Sequence, residues 1–118
     1  MMRRSEPVQD LETSLIEYCN AAAGTGDSDA KTANHWYERL RNCRKQLWQS
    51  DEGKNAITGL LGHENRHVRC AAAVDSLFWD PEKARQALEE LRDSDGPCSF
   101  EAKMVLSEFD KGRLSFDY

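Results

Sequence analysis

The chain has 118 residues, of which 39% are apolar and 31% charged, and its formal net charge is −5. That length suits one domain with a modest core and a heavily solvated exterior. From residue 60 onward there are 8 Lys/Arg against 12 Asp/Glu, and before it 8 against 9; such a surface repels phosphate, disfavours nucleic acid and suits a basic protein partner.

The opening segment, Met1-Met2-Arg3-Arg4-Ser5-Glu6-Pro7, has basic residues with no apolar run behind them. No secretory signal is expected, and no stretch is long enough to span a bilayer. Cys19, Cys43, Cys70 and Cys98 are spaced at 24, 27 and 28 residues without a C-x-x-C. Each lies in or beside an apolar helical pattern, where a thiol behaves as a small hydrophobe. Four reduced cysteines in a cytoplasm are expected.

The first helix is predicted from about Pro7 to Ala23, with Val8, Leu11, Leu15, Cys19 and Ala22 as its stripe and Gly24-Thr25-Gly26 as its stop. Asp27, Ser28 and Asp29 are good caps for a second helix over about Ala30 to Gln49. Its inner face carries Ala33, Trp36, Leu40, Cys43 and Leu47, and its outer side Arg39, Arg41, Arg44 and Lys45. His35 is expected on its surface. A third, short helix runs from about Lys54 to Leu61 and ends at Gly62. A fourth starts after Asn65 and runs to about Phe78. Asp80-Pro81-Glu82 restarts the chain: a cap, a first-turn proline and an acid at the positive helix end. The fifth helix turns Ala84, Ala87, Leu88 and Leu91 inward until Asp93-Ser94-Asp95-Gly96-Pro97 ends it. Ser99 is the expected cap of a sixth, whose Ala102, Val105, Leu106 and Phe109 face inward until Gly112. Leu114, Phe116 and Tyr118 alternate with polar residues in a tail that would strap the last pair.

Sliding the chain by about 31 residues superposes Ala56 on Ala87, Ile57 on Leu88, Leu60 on Leu91, Ala71 on Ala102, Val74 on Val105 and Phe78 on Phe109. Upstream, Leu40, Cys43 and Leu47 align with Ala71, Val74 and Phe78, so a divergent first copy fits the series. A period near 31 residues with helical spacing inside each copy signals stacked helix pairs. The predicted domain is all-α, covering 1–118, with pairs at about 7–49, 54–79 and 81–112 and a tail at 113–118.

The stretch Gly59-Leu60-Leu61-Gly62-His63-Glu64-Asn65-Arg66-His67-Val68-Arg69-Cys70-Ala71-Ala72 resembles the turn of a HEAT-type repeat: a capping Asn, then Val-Arg, then small residues. Together with Pro81-Glu82-Lys83-Ala84, Leu88, Leu91, Phe100-Glu101-Ala102, Leu106 and Lys111-Gly112-Arg113-Leu114, it is similar to a small family of bacterial HEAT-like domains of uncharacterised function. The likeness covers the last 60 residues or so well and the first 50 poorly. It implies a right-handed α-α superhelix of about three HEAT-like pairs that serves as a binding scaffold. It also implies a structural role for Arg69, pairing with Asp75 or Glu108 to tie one repeat to the next.

His63-Glu64-Asn65-Arg66-His67 matches H-E-x-x-H, whose zinc chemistry requires one unbroken helix through both histidines. Gly62 and Asn65 predict a break there. No Ser-His-Asp order, Gly-rich phosphate loop or local Cys-His pair is present. Trp36 reads as core. Trp48 and Trp79, near helix ends, are candidate anchors for a protein partner, and Asp93, Asp95, Glu101, Glu108 and Asp110 form a candidate acidic patch that would steer a basic surface. The leading expectation is a non-enzymatic bacterial protein-binding module without cofactor, in its narrow form an immunity protein that occludes the basic active site of a toxin domain. The alternatives are a zinc hydrolase using His63, Glu64 and His67, and a nucleic-acid binder using the bases of the second helix.

Overall fold

A computed structural model of the chain describes residues 10–114. Six α-helices follow one another: α1 (Leu11–Gly24), α2 (Ala30–Leu47), α3 (Asp51–Thr58), α4 (Arg66–Ser76), α5 (Pro81–Asp93) and α6 (Ser99–Asp110), with a 3-10 turn, Gly59–Gly62, continuing α3. The described residues contain no strand. The architecture is all-α, as the period-3.6 pattern requires, and no described helix is long and apolar enough to cross a membrane.

Caps set the starts. Asp10, Asp29, Ser50 and Asp80 each accept a backbone N–H from their first turns, and Asn65 accepts two, from His67 and Val68. Three starts differ from expectation. Asp10 caps α1, so the helix begins at Leu11; Pro7 and Val8 lie outside the described residues. Ser50 caps α3 and places Asp51 and Glu52 in its first turn, three residues before the expected start at Lys54. Ser99 is not the cap of α6. It is the first helical residue, its hydroxyl donates to the Arg92 carbonyl, and Cys98 holds the cap position in the left-handed region at φ 75°.

Two apolar clusters fill the interior. Tyr18, Ala21, Ala22, Leu40, Cys43, Leu47, Ile57, Val68 and Ala72 join α1, α2, α3 and one face of α4. Cys70, Ala73, Val74, Leu77, Ala84, Leu88, Leu91, Ala102 and Leu106 join its other face to α5 and α6. Helix α4 is therefore central, with seven residues buried, and Ala71-Ala72-Ala73 lets its neighbours approach closely. Leu114 packs on the second cluster; Phe116 and Tyr118 lie outside the described residues.

Two inward positions need correction. Helix α1 is rotated from its expected stripe: Ser14, Tyr18, Ala21 and Ala22 are buried and Leu11 is exposed. The hydroxyl of Tyr18 donates to Asp75 at 2.6 Å, and that contact fixes the rotation. Phe78 is 40% exposed while Leu77 takes the core position, because α4 ends at Ser76 and the chain turns before Phe78 can follow the helical stripe.

The 31-residue period is physical. Arg44 meets Asp75, Arg66 meets Pro97, and His67 meets Cys98, each pair 31 positions apart. Equivalent positions of successive units touch when the units are stacked side by side.

Candidate functional site

The site residues expected from sequence fall in separate places. Trp48 and Trp79 pack edge-to-face at 5.2 Å, Trp48 also meets Phe78 at 5.5 Å, and the Trp79 indole N–H donates to Thr58 Oγ1 at 2.8 Å. Lys54 lies over the Trp79 ring. Both indoles are half-buried, closing the ends of α2 and α4 against α3. Among the five acids, Asp93 pairs with Arg92, Glu108 with Arg113 and Asp110 with Arg85. Those three are partly neutralised within the chain. Asp95 is exposed on the α5–α6 turn, and Glu101 faces a groove described below.

The H-E-x-x-H stretch spans a corner. His63 lies in extended backbone after the 3-10 turn, and its Nδ1 accepts the Asn65 N–H at 3.0 Å; His67 is in the first turn of α4. Asn65 caps between them, so the single helix that the zinc-protease pattern needs is not formed. Arg69 does not meet Asp75 or Glu108. Its guanidinium donates to the carbonyls of His63 and Glu64, at 2.7 and 3.1 Å, bracing that same corner.

The base that reaches Asp75 is Arg44, expected on the outer face of the second helix. Arg44 Nε donates to Asp75 Oδ1 at 2.7 Å, with the arginine side chain 11% exposed and the carboxylate fully buried. Tyr18 donates to the other oxygen. Residues from α1, α2 and α4 thus share one carboxylate. Burial raises the Asp75 pKa to about 6 against the pull of Arg44, and burial, with Asp75 beside it, also drives the Tyr18 phenol well above its ordinary value. Arg39, Arg41 and Lys45 stay exposed, which leaves the basic face of α2 short of one of its four members.

Between α2, α4 and α6 lies a groove of about 170 Å³. Helix α2 contributes Tyr37, Leu40, Arg41 and Arg44; α4 contributes His67, Cys70, Ala71 and Val74; Cys98 and Glu101 close the far side. These are the second helices of the three successive pairs. On α6, Phe100 is 73% and Met104 47% exposed, one turn apart and adjoining Glu101, while Tyr37 is 49% exposed on the opposite wall.

The floor is rich in thiol and imidazole. Cys98 Sγ lies 3.3 Å from His67 Nδ1, and the donor atoms of Cys70, Cys98 and Glu101 fall within 4.8 Å of one another. The Cys98 thiol pKa is lowered, first by its hydrogen bond with Cys70 and then by Arg66 and Arg69; that hydrogen bond and burial raise Cys70. Reading each cysteine as a small hydrophobe overlooked this grouping. The signal was present in the period: the shift that superposes Ala71 on Ala102 also puts His67 on Cys98 and Cys70 on Glu101.

The crystal structure of the protein RPA1889 from Rhodopseudomonas palustris CGA009 is similar to this chain, with a TM-score of 0.83 and 22% identity over 92% of this chain and 94% of that one. The likeness shows a shared compact, all-helical fold. No protein-family model and no curated protein matches the chain.

Proposed function

We propose that the chain is a non-enzymatic protein-binding module, a short HEAT-like α-α superhelix whose partner seats in the groove between α2, α4 and α6. The contacts at a constant separation of 31 residues support the HEAT-like reading. One observation carries the binding reading: Tyr37 is exposed in the wall of a groove built by the second helix of every pair, and the exposed Phe100 and Met104 flank the groove residue Glu101 along α6. Single exposed apolar residues are ordinary on any surface. A phenylalanine and a methionine one turn apart beside a cleft are the kind of anchor that contributes most of an interface's binding energy.

The net charge of −5 favours a basic partner, and the narrow form of the proposal is an immunity protein that occludes the active site of a toxin domain. With Asp93, Glu108 and Asp110 engaged internally, Glu101 at the groove and Asp95 on the adjoining turn are the acids placed to face it. The test is a photo-crosslinking side chain at position 100 in the source cells, with position 86 on α5 as control. One discrete adduct from position 100, absent from position 86 and weakened by salt, is the expected result. Equal adducts from both positions, or none from either, count against the reading. An immunity role further requires that the captured protein be an enzyme inhibited by stoichiometric addition of this chain.

A further inference from the structure

Three side chains with metal-binding atoms, Cys70, Cys98 and Glu101, converge where α4 and α6 begin, and His67 adjoins them through Cys98. His67-x-x-Cys70 presents two donors from one face of α4, where residues three apart are neighbours, and Cys98-x-x-Glu101 presents two from the cap and first turn of α6. The two pairs occupy matching positions of consecutive units. Around a tetrahedral zinc with Zn–S about 2.3 Å and Zn–N about 2.0 Å, a sulfur and a nitrogen ligand stand roughly 3.5 Å apart, and two sulfurs roughly 3.8 Å. His67 Nδ1 and Cys98 Sγ are 3.3 Å apart, and the two sulfurs and the Glu101 oxygen lie within 4.8 Å. Closing that triangle onto an ion takes a contraction of up to about 1.3 Å, and His67, outside the triangle, must swing in from its contact with Cys98.

A second observation concerns the backbone. Cys98 is the one non-glycine residue with positive φ among those described. A left-handed cysteine is unfavourable and persists where its surroundings hold it, a pattern concentrated at functional sites. Here Arg66 holds the turn before it, donating to Ser94 Oγ at 3.0 Å and to the Pro97 carbonyl at 2.9 Å. The imidazole is wedged as well: a Cβ on Gly26 would stand 2.4 Å from His67 Nε2, so a glycine there leaves room for the ring beside Cys98.

We propose that His67, Cys70, Cys98 and Glu101 form a structural zinc site that fastens the last helix pair to the middle one. Two thiolates select zinc over magnesium or calcium, which prefer oxygen alone. Four protein ligands leave no open coordination position, the mark of a structural site. On binding, each cysteine loses its proton to solvent and gives a sulfur lone pair to the metal, while Glu101 ligates through a carboxylate oxygen and His67 through an unprotonated ring nitrogen. The site lies in the floor of the same groove but needs no second molecule; with zinc bound Glu101 is a ligand, and Asp95 is the acid left to face a basic partner.

The test uses full-length protein, reduced and stripped with a chelator, titrated first with Co²⁺ and then with Zn²⁺. One cobalt per chain should bind, with thiolate-to-metal charge-transfer absorption and the visible bands of tetrahedral cobalt, and zinc should displace it and raise Tm. Cys98→Gly removes the ligand yet suits the positive φ, so circular dichroism should show an intact fold while metal affinity falls by more than about 100-fold. Cys70→Ser should lose the charge-transfer band in the same way. His63→Ala should bind like wild type. The proposal is overturned if stripped wild type gives no charge-transfer band at one equivalent, or if Cys98→Gly or Cys70→Ser binds as tightly as wild type.

Discussion

Asp75 shows what a single buried carboxylate does in this chain. Tyr18 and Arg44 both end on it, so the first helix pair is attached to α4 by charge-assisted hydrogen bonds as well as by apolar contact. Replacing Arg44 with Leu strands the carboxylate, and a loss of about 3–5 kcal/mol is expected in denaturant unfolding. The sign of the pH effect follows from the raised pKa of about 6 against an ordinary 3.8. The folded state holds the proton more tightly, so this group's contribution is complete below about pH 4 and is lost as pH rises through 6. Unfolding midpoints measured from pH 4 to 7 should show that slope, on the order of 3 kcal/mol, in the wild type and not in Asp75→Asn. The HEAT resemblance names Arg69 as the tying base, with Asp75 or Glu108 as its partner; Arg44 is the base that reaches Asp75, because a repeat motif does not say which long side chain reaches inward. Gly53 has a constraint that no local sequence pattern signals. A Cβ there would stand 2.0 Å from the Leu47 carbonyl oxygen, so Gly53→Ala should cost about 3 kcal/mol or more, read as a drop in Tm.

At the scale of elements, starts were more legible than rotations. Asn65 and the Asp80-Pro81 pair were readable because a cap is a local event: a side chain bonds an N–H two or three residues on. Asn65→Ala should therefore lower stability by about 1 kcal/mol, measurable by thermal unfolding. The rotation of α1 was not readable from its apolar residues, since a tyrosine hydroxyl and a distant aspartate set it. The left-handed start of α6 was hidden for a related reason: Arg66, 32 residues before Cys98, orders the turn that precedes it. The inner face of α5 was plain, and Leu88→Ala, which empties a fully buried position, should cost about 2–5 kcal/mol.

For the whole molecule, the repeat period was the clearest signal, and it reappears as contacts between residues 31 apart. The groove was not visible in the same way, because its walls come from three helices that no local window contains together. Phe100 and Met104 offer a clean separation of folding from binding. Both are exposed, so Phe100→Ala with Met104→Ala should leave the unfolding midpoint within about 0.5 kcal/mol of wild type. Loss of about 2 kcal/mol or more in affinity for the crosslinked partner is expected if the rim anchors it, and unchanged affinity would move the interface elsewhere.

Long repeat arrays can fray from either end, one unit at a time. In this chain Val68 and Ala72 on one side of α4 cover the first pair, while Cys70, Ala73, Val74 and Leu77 on the other cover the last. Peeling off either terminus bares half of the helix that the opposite terminus needs, so melting should be all-or-none although the units repeat.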